Sequence, residues 1–244
     1  MEDYYPSGVN YVSLEQKSEI PYIKKRYEVR LREYPEDWPL TRGDVEAEML
    51  KLLNTLTEGT PFRVPRLLSR EPPDLLTMEF CPGERLRDLP LDRLPDRTLW
   101  SQLFDLLHRI QLLPWESLSP SLQRALEGQW PIWDCMRRWK TARNTYTEPP
   151  HTCICLGDVS LNNLLFDGNQ ICLIDFECTH WGCFGYDGGL LLAAAGVRWA
   201  DLPVLDEVTA GFHLCRADED WKQSCLFWRE RLWDYYYQNR KLCP

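Results

Sequence analysis

One stretch of this 244-residue chain limits its possible folds more than any other. Residues 156–177 read Leu-Gly-Asp-Val-Ser-Leu-Asn-Asn-Leu-Leu-Phe-Asp-Gly-Asn-Gln-Ile-Cys-Leu-Ile-Asp-Phe-Glu. A loop carrying Asp158 and Asn163 leads into two short apolar strands joined by the turn Asp167-Gly168-Asn169, because Asp-Gly pairs favour tight hairpin connections. The second strand, 171–174, ends at Asp175 and returns it beside the loop that holds Asp158. The expected outcome is two carboxylates and one amide oxygen gathered at a strand end. That set suits phosphoryl transfer. A polyphosphate needs Mg²⁺, a hard cation that takes oxygen ligands. One carboxylate and an amide can hold the metal while the other carboxylate orients the attacking hydroxyl. The protein then supplies positioning and charge neutralisation more than covalent chemistry.

Around this stretch the chain changes character. Residues 22–34 predict a strand, with Val29 and Leu31 alternating against Arg30 and Arg32. Residues 35–39 break it with prolines. Residues 41–56 predict a helix, capped by Thr41 or Asp44, with Val45, Met49, Leu52, Leu53 and Leu56 on one face. Residues 64–68 and 75–80 predict strands, and Cys81-Pro82-Gly83 a turn that ends the first lobe. Helices are expected over 97–113, 119–126 and 132–143, and again from about Tyr186 onward. The layout is a sheet-rich lobe, residues 1–80, followed by a larger, mainly helical lobe, residues 81–244. A cleft between lobes is a favoured ligand site.

Gly157-Asp158, four residues, Asn163, and an apolar strand ending Ile174-Asp175-Phe176-Glu177 resemble the catalytic and metal motifs of aminoglycoside phosphotransferases, choline kinases and related small-molecule kinases. The resemblance implies a protein-kinase-like bilobal α+β fold. It implies ATP- and Mg²⁺-dependent transfer of the γ-phosphate to a hydroxyl of an aminoglycoside-, choline- or sugar-like acceptor. Asp158 would then be the catalytic base, and Asn163 and Asp175 the Mg²⁺ ligands. Gly185-Tyr186-Asp187 resembles the next family motif, in which Asp187 braces the metal loop. Gly8 sits where the family places its phosphate-covering turn. Arg32 stands at the position of the phosphate-binding Lys, and Glu46, with Glu48 as the competing choice, at that of its partner. Residues 75–83 resemble the hinge, where a carbonyl near Glu79 and an amide near Cys81 would read adenine. Two departures stand out: Leu156 where the family usually has His, and Arg32 where it has Lys. They support a second reading, a pseudokinase-type binding module. A kinase of protein hydroxyls fits poorly, because only nine residues separate Glu177 from Asp187.

Composition narrows the field. The net charge of −9 argues against a nucleic-acid partner, which wants a basic footprint. Lys24-Lys25-Arg26 and Arg137-Arg138 read as solvated surface. The N-terminus lacks the pattern of a signal peptide, and no apolar run reaches the ~18 residues of a membrane span. A cytoplasmic protein without membrane or nucleic-acid partners is expected. The ten cysteines read as reduced, mostly buried thiols. A metal set of Cys153, Cys155, Cys172, Cys178 and Cys183 with His151 or His180 is the alternative. Trp221, Trp228 and Leu232 or Tyr235 recur at helical spacing, as a core face or as an acceptor pocket.

Overall fold

The structure, a computed structural model, describes residues 3–6, 10–17, 20–27, 42–71, 75–127, 152–200 and 202–239. It is an α+β fold, with a sheet-rich N-terminal part and a mainly helical remainder, as expected. β1 (Asp3–Pro6), β2 (Tyr11–Lys17) and β3 (Ile20–Arg26) form an antiparallel meander. Helix α1 (Arg42–Leu56) follows and buries Val45, Met49, Leu50 and Leu53. Next come β4 (Phe62–Arg63), β5 (Leu67–Glu71) and β6 (Leu75–Glu79). β6 pairs with β3 and β5, which closes a five-stranded sheet in the order β1-β2-β3-β6-β5. Of the strand expected at 64–68, only Leu67 and Leu68 lie in one, at the start of β5, and residues 64–66 separate it from β4. Pro65 has no N–H for a ladder, and its carbonyl accepts from the Asn54 side chain at 3.2 Å.

A second sheet carries the hairpin. β7 (Glu84–Arg85), β9 (Leu164–Phe166) and β10 (Ile171–Leu173) join β4 in the order β4-β10-β9-β7. β10 runs parallel to β4, with Ile171 opposite Phe62 and Cys172 opposite Arg63. The strand pair read from residues 164–174 is therefore present, and it is anchored to the chain just past α1. A third, two-stranded sheet pairs β8 (Thr152–Cys155) with β11 (His180–Cys183). The sequence reading missed β11.

The remaining described elements are helices: α2 (Arg97–Gln111), α3 (Pro120–Glu127), α4 (Tyr186–Trp199), α5 (Pro203–Leu214) and α6 (Glu219–Asn239). Asp96 caps α2 by accepting from the Leu99 amide at 2.9 Å. The helix expected at 132–143 lies outside the described residues. One continuous apolar core joins α1, the second sheet and α2 to α4, α5 and the start of α6. Trp221 and Trp228 are fully buried in packing contacts, so they belong to the core and not to a pocket. None of the described helices is long and apolar enough to cross a membrane.

Close helix crossings depend on missing side chains. A Cβ on Gly189 of α4 would run into the Trp228 Cβ of α6 and lie 2.7 Å from the Cys225 carbonyl oxygen. Gly188 meets Cys225 and Trp221 in the same way. Forcing a methyl into such a contact costs about 1–3 kcal/mol. Gly189→Ala should therefore lower the urea midpoint by a corresponding amount, and an unchanged midpoint would mean that α4 and α6 can separate freely.

Candidate active site

The centre of the site is Lys25. On β3 it stands opposite Val12 and Leu76 in the register, and it is only 5% exposed. The reading of Lys24-Lys25-Arg26 as solvated surface fails here. Lys24 does face outward and pairs with Glu15 at 2.8 Å. The Lys25 ammonium instead meets three carboxylates: Asp175 at 2.6 Å, Glu46 at 2.7 Å and Glu177 at 3.0 Å. Burial pulls its pKa down, but Glu46 and the other acidic neighbours outweigh this and leave it well above the ordinary value. Glu46, buried in α1, is held up by desolvation against the pull of Lys25. It also accepts from the Tyr27 hydroxyl. Glu177 accepts from Arg42 and Asn10. Glu46, Asp175 and Glu177 crowd closely enough to hold a metal ion, but Lys25 already supplies the cation among them.

Beside this knot stands the loop of Asp158. Asn163 donates its side-chain amide to the Asp158 carboxylate at 2.9 Å and to the Asp158 carbonyl at 3.0 Å. That leaves the Asn163 amide oxygen without a partner among the described residues. Burial raises the Asp158 pKa, and the nearby Asp175 carboxylate adds to the rise. The loop is fixed from below by Asp187 at the start of α4, which accepts from the amides of Leu156 at 2.8 Å and Gly157 at 2.9 Å. Gln111 of α2 donates to Asp187 at 3.3 Å and accepts from Gly185 and Trp221, each at 2.8 Å. Gly157 adopts φ +85°, and any Cβ there would run into the Cys178 carbonyl oxygen. Only glycine fits.

Asp175 follows β10 at φ 68° and is the one non-glycine residue with positive φ among those described. The left-handed region costs an L-residue roughly 1–2 kcal/mol, although Asp tolerates it better than most. Asp175, Asp158, Asn163, Lys25 and Glu46 all line one cavity of about 580 Å³. Val12, Ile23, Met78, Glu79, Phe80 and Cys81 form its other wall. This size suits a small ligand or cofactor. At the hinge, the Glu79 carboxylate bonds Arg66 at 3.2 Å and Arg63 at 3.4 Å. The Cys81 amide has no partner among the described residues.

Asp158, Asn163, Asp175, Glu46, Glu79 and Cys81, each singled out from the sequence, thus border a single cavity. Gly8 and Arg32 lie outside the described residues. Among the described residues, the partner of Glu46 is Lys25. Glu177, Asn10 and Arg42 were missed altogether. The only hint of Glu177 was its place directly after Asp175-Phe176. The five-cysteine metal set does not form among the described residues, where the cysteines are free thiols.

Two outcomes follow. Asp175→Gly and Asp175→Ala both remove the carboxylate, but only glycine relieves the positive φ. The Gly variant should be more stable to urea by about 1 kcal/mol, and the reverse order would deny the strain. His180 on β11 is buried, and desolvation takes its pKa from 6.5 down to about 4. The unfolded chain then holds a proton that the folded chain refuses, so the His180 contribution is intact above pH 6.5 and is lost as pH falls toward 4. Asp187, raised by burial from 3.8 to about 6, acts with the opposite sign in the overlapping window. The stability difference between the parent and His180→Gln should therefore shrink below about pH 6.5, by at most about 1.4 kcal/mol per unit. A difference that stays flat with pH would remove His180 from the response.

The profile of the phosphotransferase enzyme family matches residues 22–227. No curated protein matches the sequence. Solved structures share the fold at low identity. A macrolide 2′-phosphotransferase from Brachybacterium faecium is 12% identical, with a TM-score of 0.57 over 100% of this chain and 87% of that one. An aminoglycoside phosphotransferase from Streptomyces rimosus, solved with ADP and streptomycin, is 18% identical, with a TM-score of 0.54 over 91% and 90%. An ethanolamine kinase from Plasmodium vivax is 15% identical, with a TM-score of 0.58 over 96% and 72%. These likenesses give the protein-kinase-like architecture. The family profile spans most of the chain and goes further: the chain belongs to the phosphotransferase enzyme family.

Proposed function

We propose that this protein uses ATP and Mg²⁺ to move the γ-phosphate onto a hydroxyl of a small molecule. One observation carries the reading: Asp158, held by Asn163, and Asp175, held by Lys25, border the same cavity. Asp158 orients the acceptor hydroxyl and takes its proton, a role helped by a pKa raised through burial. The Asp175 carboxylate and the Asn163 amide oxygen are hard donors of the kind Mg²⁺ takes, so the residues fit the ion. When bound, Mg²⁺ neutralises charge on the β- and γ-phosphates. Lys25, not Arg32, is the cation for the phosphates, with Glu46 fixing its reach. The open Cys81 amide and the Glu79 carbonyl are the edge groups for adenine. We read residues 1–80 as the nucleotide lobe and 81–244 as the catalytic and acceptor lobe. The ADP and streptomycin held by the Streptomyces rimosus enzyme support a nucleotide and a hydroxyl-bearing acceptor here. The binding-module alternative drew on Arg32 in place of Lys, and Lys25 weakens that ground.

The test separates the two carboxylates. Asp158→Asn should bind Mg·ATP nearly as the parent does in calorimetry, while ADP release with a panel of small alcohols and amino sugars falls by ~10²–10⁴-fold. Asp175→Ala should instead lose Mg²⁺-dependent nucleotide affinity. Turnover by Asp158→Asn at the parent rate would remove Asp158 as base. A parent that binds Mg·ATP but transfers phosphate to no acceptor would favour the binding module.

A further inference from the structure

A second cavity lies between the α1–β4 connection, one face of α2 and the end of α5. Its volume is about 700 Å³, within the range of small-molecule sites. It shares no lining residue with the cavity of Asp158 and Asp175. Pro61, Phe62 and Leu106 give it an apolar wall. Thr98, Ser101, Gln102, Asp105 and Arg109 give it a polar one, because these positions recur on one face of α2. Arg216, just past α5, completes the lining. Two cations are left open here. Asp105 and Arg109 stand at i, i+4, the helical spacing at which such a pair closes. Instead Asp105 accepts from the Arg216 backbone amide at 2.6 Å. Arg63, Arg66, Arg70, Arg93 and Arg97 each pair with a carboxylate, whereas the Arg109 and Arg216 guanidiniums have no such partner among the described residues. His108, on the same wall, is taken by Asp218 at 3.0 Å. The Thr98 and Ser101 hydroxyls and the Gln102 amide make no side-chain hydrogen bond among the described residues. Two arginines against one carboxylate make the lining positive in a chain of net charge −9.

We propose that this cavity is a second binding site, for a small sugar phosphate, separate from the site of phosphotransfer. Arg109 and Arg216 hold the phosphate, because a guanidinium presents a fork of donors that matches phosphate oxygens. Thr98, Ser101 and Gln102 meet the sugar hydroxyls, and the apolar wall of Pro61, Phe62 and Leu106 packs against the ring. The volume leaves room for this body beside the anion. Asp105 is a positioning residue: by holding the Arg216 amide it fixes the turn after α5 from which that side chain extends.

The experiment uses the full chain and calorimetry, with glucose 6-phosphate, glucose and inorganic phosphate as probes. Glucose 6-phosphate should bind, and Arg109→Ala and Arg216→Ala should each weaken it by about tenfold. Arg109→Lys should weaken it less, since a charge remains without the fork. Both alanine variants should keep the parent's urea midpoint, because the two arginines are exposed and Arg216→Ala retains the amide bonded to Asp105. Ser101→Ala should weaken glucose 6-phosphate and leave inorganic phosphate unchanged. No binding of glucose 6-phosphate, or binding that the arginine variants leave unchanged, would overturn the proposal. Inorganic phosphate bound as tightly as the ester would overturn the assignment to a sugar phosphate. Saturating Mg·ATP separates the two cavities. Unchanged affinity for glucose 6-phosphate supports the second site, whereas displacement puts the probe beside Asp158 and overturns it.

Discussion

Much of this structure hangs on one buried ammonium. Lys25 ties β3 to α1 through Glu46 and to the end of the β10 hairpin through Asp175 and Glu177. Removing one partner from such a knot costs roughly 3–5 kcal/mol, because the others are left as uncompensated buried charges. Arg42, at the start of α1, reinforces the same link by bonding Glu177. Two cations, Lys25 and Arg42, thus face three carboxylates, with Asp158 close by. One negative charge is left over in a poorly solvated place. A further cation is the natural remedy, and the side of Asp175 facing the cavity is where it can enter. The electrostatics of the fold and the metal site we propose therefore have a common origin.

Backbone strain sharpens this. Asp175 adopts positive φ two residues past the end of β10, and such strain persists only where the surroundings over-determine it. Those surroundings are Lys25 on one side and, on the other, the Ile174 amide bonded to the Asn163 carbonyl at 3.0 Å. The hairpin and the Asp158 loop are thereby fastened at adjacent residues. Asn163 serves both ends, since its backbone carbonyl holds the hairpin and its side chain holds Asp158. A residue that looks like one metal ligand in the sequence is also the joint between two carboxylates.

What could be read from the sequence follows the range of the interactions. Asp158, Asn163 and Asp175 were legible because a hairpin of under twenty residues brings them together, and turn chemistry and strand alternation report such local closure. Lys25 was not. Its charge reads as surface in every local window, and only partners 21 and 150 residues away make it a buried cation. The resemblance of Val29-Arg30-Leu31-Arg32 to a family strand drew attention to Arg32, while the register of β3 against β6, which buries Lys25, cannot be seen from β3 alone. β11 escaped for a similar reason: His180-Trp181-Gly182-Cys183 carries little strand signal and exists through its pairing with β8. The aromatic row of α6 kept two readings open because helical spacing is the same for a packed face and a pocket wall. Burial of Trp221 and Trp228 decides between them.

The departure at Leu156 has a physical answer in the same region. The Leu156 side chain is buried in the core and only its amide serves the site, by donating to Asp187. An imidazole does stand near Gly157, but it arrives from β11. His180 bonds the Cys178 carbonyl at 3.0 Å and would lie 3.1 Å from a Cβ built on Gly157. A Cβ on Gly182 would come within 2.5 Å of the same ring, so two glycines make its slot. With its pKa held near 4 by burial, this imidazole is neutral at physiological pH and acts as a shaped, uncharged prop. It supports the segment just past Glu177 while Asp187 supports the one just before Asp158. The loop is thus braced from both ends by groups outside it. The identity of residue 156 can drift to leucine because the scaffold needs its amide and an apolar filling, not an imidazole at that position.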